Sequence, residues 1–259
     1  MGFSGKSAFG GRMNSPEIVL SLNEILFFFT RAAVGAGVPF GLAEDFGRSS
    51  KWIAESGLDP AQITAKALQL LDCGESSISA SQIENGAETV LSPTGEKRLS
   101  ALFAGPAVCD WISAKTEDSI LSQHFIAKKV DIPFLIVAAV GASNSGNWEI
   151  CWQDSGGTLC SVLTCLHGSW KTSWGGTEIQ EQYNSANVSI KSMESSLFSS
   201  QKWNEKTTYT EKNRKRVLES GVPVYQAWPI IQTFFSRCLV PSTEESRKSG
   251  AGAGLVDTD

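Results

Sequence analysis

Gly35-Ala-Gly-Val-Pro-Phe-Gly-Leu-Ala-Glu-Asp-Phe-Gly-Arg48 is the stretch around which this 259-residue chain is organised. Gly35 and Gly37 close one helical pattern, Pro39 opens the next, and Gly41 and Gly47 fall inside it. Glycine in a helix interior costs roughly 1 kcal/mol against alanine. Two so close together point either to tight packing or to a backbone approached by a ligand. Glu44 and Arg48 stand four residues apart, the spacing of a pair on one helix face.

Working outward, Ser21-Leu-Asn-Glu24 reads as a capping box, with Ser21 as N-cap and Glu24 reaching back. Leu22, Ile25, Leu26, Phe29, Ala32 and Ala33 form the apolar stripe of the helix it opens. A second helix from Pro39 to Ser56 buries Ala43, Phe46, Gly47 and Ile53 and stops at Gly57. The third has Asp59 as N-cap, Pro60 in its first turn, a stripe of Ile63, Ala67, Leu70 and Leu71, and Gly74 as terminator.

The texture changes after Cys73. Residues 74–100 are rich in Ser, Gly and Glu and read as loops around a short strand or two. Apolar character resumes from Leu102 to Ile112 around Gly105-Pro106, and the continuous apolar run Ile132–Val140 predicts a fully buried strand. Asn147–Gln153 alternates Trp148, Ile150 and Trp152 with polar neighbours. With a turn at 154–157 and a return strand at Thr158–Leu163, it predicts a hairpin. Trp170–Gly176 reads as a loop or bent strand, and Asn187–Lys191 as a short strand. A closing helix is expected over Tyr225–Leu239, its start moved to Ala227 or Trp228 by Pro229.

The fold class is therefore α+β, with a helical hairpin and third helix, a mostly antiparallel central sheet, a C-terminal helix and a Gly-rich tail. The expected organisation is a mobile leader over 1–13, with Met13 as an alternative start. One domain follows over 14–241, its helical part about 14–73, its sheet part about 74–222 and its closing helix about 223–240. A motif-bearing tail covers 242–259. No repeat and no βαβ alternation is visible.

A net charge of −5 argues against a general polyanion binder. Eight Trp and thirteen Phe against three Tyr suggest an aromatic core before a lined cleft. No apolar run reaches the ~18 residues of a membrane span. Ile25–Phe29 is too short for a signal core and runs into Arg31. Six cysteines without a signal read as reduced core thiols, so a cytoplasmic protein is expected.

Chemistry-bearing motifs are few. His124 and His167 are the only histidines. Cys160-x4-Cys165-x-His167 lacks a metal-site spacing, so no metal is expected. A Cys109–His124 nucleophile pair has no local signature, and Asp110 reads as a cap at a turn before a catalyst. Lys212–Arg216 reads as a solvated strand or loop rather than a nucleic-acid contact. No phosphate loop or hydrolase motif is present, and no cofactor is expected. The tail, Gly250-Ala-Gly-Ala-Gly-Leu-Val-Asp-Thr-Asp259, is not a dinucleotide fingerprint. Its glycines could present backbone N–H groups to an anion, and Asp257 and Asp259 would suit a cation or an arginine.

Asn23-Glu24, Gly35-Ala-Gly37, Gly41-Leu-Ala-Glu44 and Gly47-Arg48, with Pro241, Glu245-Ser-Arg247, Gly250–Leu255, Asp257 and Asp259, resemble the bacterial family called domain of unknown function 3726. Where relatives have Trp before Gly-Leu-Ala-Glu, this chain has Phe40, and its leader is an extra. The resemblance implies a soluble bacterial protein and no particular activity. It is a reason to read the two glycine-rich ends as one site. Ligand-binding candidates are accordingly Glu24, Gly37, Glu44, Arg48, Glu245, Arg247, Asp257 and Asp259.

Three functions compete. The first is a small-molecule-binding protein, with or without catalysis, whose site at the 35–48 junction is closed by the tail. The second is an assembly protein whose tail docks on a neighbouring subunit of a homo-oligomer. The third is a divergent relative of two-domain keto-acid dehydrogenases, resembled in the helix, Ala-Gly-Val-Pro turn and helix at 29–46 but without their catalytic histidine motif or a cofactor loop. None requires nucleic acid or a membrane.

Overall fold

The expected capping box opens helix α1 (Leu22–Gly35): the Glu24 amide donates to Ser21 Oγ at 3.2 Å, and the Ser21 amide to Glu24 Oε2 at 2.7 Å. The structure is a computed structural model. It describes residues 18–114, 124–144, 146–153, 157, 159–164, 170–174, 185–192, 208–209 and 211–239. The expected leader and tail lie outside these residues.

Helix α1 buries Leu22, Ile25, Phe29, Ala32 and Ala33 against α2 (Phe40–Glu55), across a turn where Gly37 takes φ +84°. The glycines at this junction separate into two kinds. A Cβ on Gly47 would overlap the Thr30 hydroxyl of α1, and one on Gly35 would overlap the carbonyl of Phe234. Gly41 faces open space. Two of the glycines thus exist for close packing within the chain.

Helix α3 (Pro60–Asp72) starts on Asp59, whose Oδ1 accepts from the Ala61 amide at 2.9 Å. Gly57 and Gly74, at φ +78° and +75°, follow the second and third helices as expected. Two elements from opposite ends of the chain close this layer. Strand β1 (Ile18–Leu20) pairs antiparallel with β12 (Val222–Val224). The closing helix, over Trp228–Ser236, packs on α1 and is tied to α3 by an Arg237–Asp72 pair at 2.6 and 3.1 Å.

The sheet half begins with β2 (Ser76–Ser77), β3 (Ala80–Asn85), β4 (Glu88–Pro93) and β5 (Arg98–Leu99), more strand than the loop-rich reading of 74–100 predicts. Helix α4 (Ala101–Ala114) leads to β6 (His124–Val130), which pairs parallel with β4 and β5. The crossover through α4 and a parallel β2–β5 pair interrupt an otherwise mostly antiparallel sheet. Beyond it come β7 (Trp148–Gln153), β8 (Leu159–Thr164), β9 (Trp170–Trp174), β10 (Ala186–Ser192) and β11 (Thr208–Tyr209). The path across the sheet is β11-β9-β8-β7-β10-β6-β4-β3. The predicted hairpin is β7–β8, with Trp148, Ile150 and Trp152 buried. Of its expected turn, Gly157 alone is described.

Two elements correct the sequence reading. The run 132–140 is not a strand but the helix α5 (Pro133–Ser143), buried from Pro133 through Gly141. A helix surrounded on every side shows no 3.6-residue period, so an apolar run of this length reads equally as strand. Its small residues allow close contact: a Cβ on Gly141 would enter the Trp52 ring, and one on Gly105 would stand 2.8 Å from Ala139 Cβ. The basic run 212–216, read as strand or loop, lies in helix α6 (Glu211–Ser220), with the Trp228–Ser236 helix then α7. Alternating surface charge with Val217 as its one buried residue leaves no stripe to announce it.

Asp131 lies fully buried between β6 and α5. Its Oδ1 accepts from the Ala101 amide at 2.8 Å and the Ile132 amide at 2.7 Å, while its own amide donates to the Leu99 carbonyl at 3.0 Å. The Ser76 hydroxyl lies close by but outside hydrogen-bonding geometry, and Oδ2 has no partner among the described residues. Burial outweighs the two amides and pushes the carboxyl from 3.8 up to about 6.

Gly47→Ala should destabilise the protein by about 1–3 kcal/mol through overpacking against α1. Gly41→Ala, with open space before it, should gain up to about 1 kcal/mol. Denaturant unfolding of both variants reads this contrast, and equal shifts would refute the packing assignment. Asp131 gives a pH signature. Between pH about 4 and about 6 the native state holds a proton that the unfolded state has released, so stability falls as pH rises through that window. The loss is about 3 kcal/mol, complete above pH about 6. Asp131→Asn should remove this component, seen as a flatter pH dependence of the unfolding midpoint than in the parent.

Candidate functional site

Glu24 and Gly37 stand at opposite ends of α1, about 20 Å apart at 1.5 Å per residue. The two hydrogen bonds from Ser21 hold the Glu24 carboxyl below its usual range, the backbone one counting most. On α2, Arg48 does not pair with Glu44. Its Nη2 meets Asp45 Oδ1 at 2.7 Å, one residue nearer, in an exposed pair of small energetic weight. Glu245, Arg247, Asp257 and Asp259 lie outside the described residues.

Arg48 nevertheless borders a cleft. With Asp45 and Ser49 it faces Pro106, Cys109 and Asp110 of α4 and Ser143 of α5 around a cavity of about 120 Å³. Asp110 is an exposed residue inside α4, not a cap at a turn. Burial pushes the Cys109 thiol up to about 11, against a hydrogen bond with Ser143, and the charges of Asp45 and Asp110 add to the rise. It stays protonated at neutral pH and is a poor nucleophile. His124 does not bond to it. That ring contacts Ser189 Oγ at 2.7 Å through Nε2 and Glu88 Oε1 at 3.4 Å through Nδ1. Burial, aided by Lys191 and opposed by Glu88, lowers its pKa. Among the described residues no cluster of three or more His, Cys, Asp or Glu could hold a metal ion.

A larger cavity, about 360 Å³, opens one turn beyond the predicted junction. One wall is the α2–α3 turn, with Ala54, Gly57, Leu58 and Asp59; the other is the end of α6 and the start of β12, with Arg216, Val217, Val222, Pro223 and Tyr225. An Arg214–Glu55 contact at 3.7 Å and the buried Val217 hold α6 against this turn. Gly57 takes φ +78°, a conformation that favours glycine, and Arg216 Nη2 lies 3.1 Å from the place a Cβ would take. Asp59 is spent on structure, Oδ1 on the start of α3 and Oδ2 on the Tyr225 amide at 3.1 Å. Ser220 Oγ donates to the Arg216 carbonyl at 2.8 Å. Among the described residues no carboxylate pairs with the Arg216 guanidinium. Sequence reasoning assigned that arginine to a solvated run, and nothing local links it to Gly57.

The segment carrying α1 through α5 and both helix junctions decides the affiliation. Residues 20–147 match the family model described as "Protein of unknown function (DUF3726)". This segment belongs to that family. No curated protein matches the chain. Its fold is that of several dehydrogenases and a reductase. Malate dehydrogenase from Pyrococcus horikoshii OT3 superposes with a TM-score of 0.58 at 11% identity, over 87% of this chain and 97% of that one. Sulfolactate dehydrogenase from Methanocaldococcus jannaschii gives 0.56 at 8%, over 85% and 97%. Delta1-piperideine-2-carboxylate reductase from Pseudomonas syringae pvar. tomato gives 0.52 at 8%, over 84% and 99%. The similarity read at 29–46 thus extends to the whole fold, and at these identities to the fold alone.

Among the described residues no helix is long and apolar enough to cross a membrane. For Cys109, iodoacetamide at pH about 7.5 should modify the exposed Cys73 first and leave Cys109 untouched until the chain is unfolded. Peptide mass mapping over time reads the order, and early labelling of Cys109 would contradict its burial.

Proposed function

We propose that the protein binds a small organic carboxylate in the cavity between the α2–α3 turn and α6, with Arg216 as the anion contact. The observation that carries this reading is the guanidinium without a carboxylate partner, over a glycine that makes room for it. A planar fork of donors is suited to a carboxylate. At about 360 Å³ the cavity is within the usual range for small-molecule sites. The proteins that share the fold are named for malate, sulfolactate and piperideine-2-carboxylate, each a small acid.

Dehydrogenases of this fold imply a nicotinamide cofactor, and the described residues do not fit its pyrophosphate at the usual place. A helix N-terminus that follows a strand is a common phosphate seat. In the parallel β5–α4–β6 crossover the first amide of α4, Ala101, is bonded to the buried Asp131 carboxylate, as is the Ile132 amide ahead of α5, and neither junction has a glycine. Binding, rather than hydride transfer, is the function proposed.

The assembly reading keeps one observation in its favour. Phe27 is half exposed beside Phe28 and Phe235, in edge-to-face contacts of 4.9–5.8 Å on the face where the described chain ends at Leu239. Under it, residues 242–259 dock on a neighbouring copy.

One experiment separates the readings. Native mass spectra and melting curves are taken for the full chain, Arg216→Gln and a chain lacking residues 249–259, with and without a panel of carboxylic acids that runs from malate and pyruvate to phenylpyruvate. The binding reading expects an acid-induced rise in Tm for the full chain that Arg216→Gln abolishes, and no shift with NADH. A subunit count that falls on truncation, with no response to any acid, would replace binding by assembly.

A further inference from the structure

The chemistry of the cavity walls narrows the ligand further than its being an acid; the argument rests on the site proposed above. The polar groups around the cavity are nearly all committed. The Gly57 amide donates to the Ala54 carbonyl at 2.8 Å and the Gly221 amide to the Val217 carbonyl at 2.9 Å. Asp59 uses both oxygens on backbone amides, and Ser220 is bonded within its own helix. Among the described residues that line the cavity, Arg216 is the one cation left to meet a ligand charge.

A second anionic group on the ligand would find no second guanidinium or ammonium among the described lining residues. It would instead face the Asp59 carboxylate, which cannot turn away without uncapping α3 and releasing the Tyr225 amide. Two like charges in a partly dry site cost more than either gains from water. The site therefore selects one negative charge.

The remaining wall is apolar: Ala54, Leu58, Val217, Val222 and Pro223. Its volume, about 360 Å³, is more than twice the ~150 Å³ that accommodates a benzene molecule. A three- or four-carbon acid held at Arg216 would leave most of this apolar surface against water. An acid with a ring or branched chain would cover it and remove that surface from water.

We infer that the ligand is a monocarboxylate with an apolar body, an aryl or branched-chain acid, its carboxylate on Arg216 and its body against Leu58, Val217 and Val222. Malate, with two carboxylates, is the wrong charge for this cavity, and pyruvate the wrong size.

Isothermal titration of the full chain with phenylpyruvate, pyruvate and malate tests this. Phenylpyruvate should bind at least about tenfold more tightly than either of the others. Arg216→Gln should weaken it by about tenfold or more, and Arg216→Lys by less. Arg216 is exposed on α6, so these variants keep the fold, which the melting curve verifies. Leu58→Asn, on the apolar wall, should weaken phenylpyruvate by a larger factor than pyruvate, so that the ratio of the two affinities falls. Malate or pyruvate binding as tightly as phenylpyruvate, lost in Arg216→Gln, would overturn the ligand class and leave the carboxylate site standing. Phenylpyruvate binding that ignores Arg216→Gln, or no binding by any of the three acids, would overturn the site itself.

Discussion

A single buried carboxylate joins the parts of this fold. Asp131 receives the first amides of α4 and the turn into α5 on one oxygen, while its own amide bonds to Leu99 in β5. Four elements thus converge on one residue at the end of β6. The two helix starts direct partial positive charge at it, which is why a carboxylate is tolerated in a place without solvent. The compensation is incomplete, since burial still dominates its titration. From this point α5 runs back through the interior, against α4 on one side and α2 on another. The sheet half and the helical half share that helix as common core.

The contacts of α5 show how the rest follows. Glycine at 141 admits the Trp52 indole from α2, and glycine at 105 admits Ala139 from α5. Gly47 and Gly35 do the same for α1 against α2 and the last helix. Close backbone approach is used repeatedly, and large aromatics such as Trp111, Phe125 and Trp148 fill the space between α4 and the sheet. Helix interiors give up some propensity at each glycine and recover it as dispersion contact across the interface.

Much of the helical half is legible in the chain because its signals are local. A capping serine and its glutamate, an aspartate before a proline, and glycines at the ends act within four residues of one another. The β7–β8 hairpin is legible for the same reason, its alternation running the length of the strand. The α5 helix is not: burial on all sides removes the periodicity that distinguishes helix from strand, and Pro133 alone marks its start. Nor is the β1–β12 ladder, whose two strands of three residues come from opposite ends of the chain. At the candidate site the glycine pattern at 35–48 speaks of tight packing, and the structure supplies intramolecular partners at Gly35 and Gly47. The Arg48 pairing is not decided by spacing, since residues three and four back are both within reach of an arginine. The larger cavity has no motif at all. It exists because α6 is laid against the α2–α3 turn, and a glycine in one segment faces an arginine in the other.

This separation of scaffold and site explains how a fold persists at 8–11% identity to dehydrogenases. The residues that hold the fold together are buried: Asp131 at the helix starts, the glycines at the crossings, and the aromatics between α4 and the sheet. Arg216 belongs to none of these. It projects from an exposed helix whose attachment to α2 depends on Val217 and on the Arg214–Glu55 contact. A charged group at the rim of an apolar cavity can change without disturbing a buried contact, so ligand chemistry and fold stability are under different constraints. The starts of α4 and α5 are committed to Asp131, whereas the Arg216 guanidinium beside its apolar wall has no carboxylate partner among the described residues.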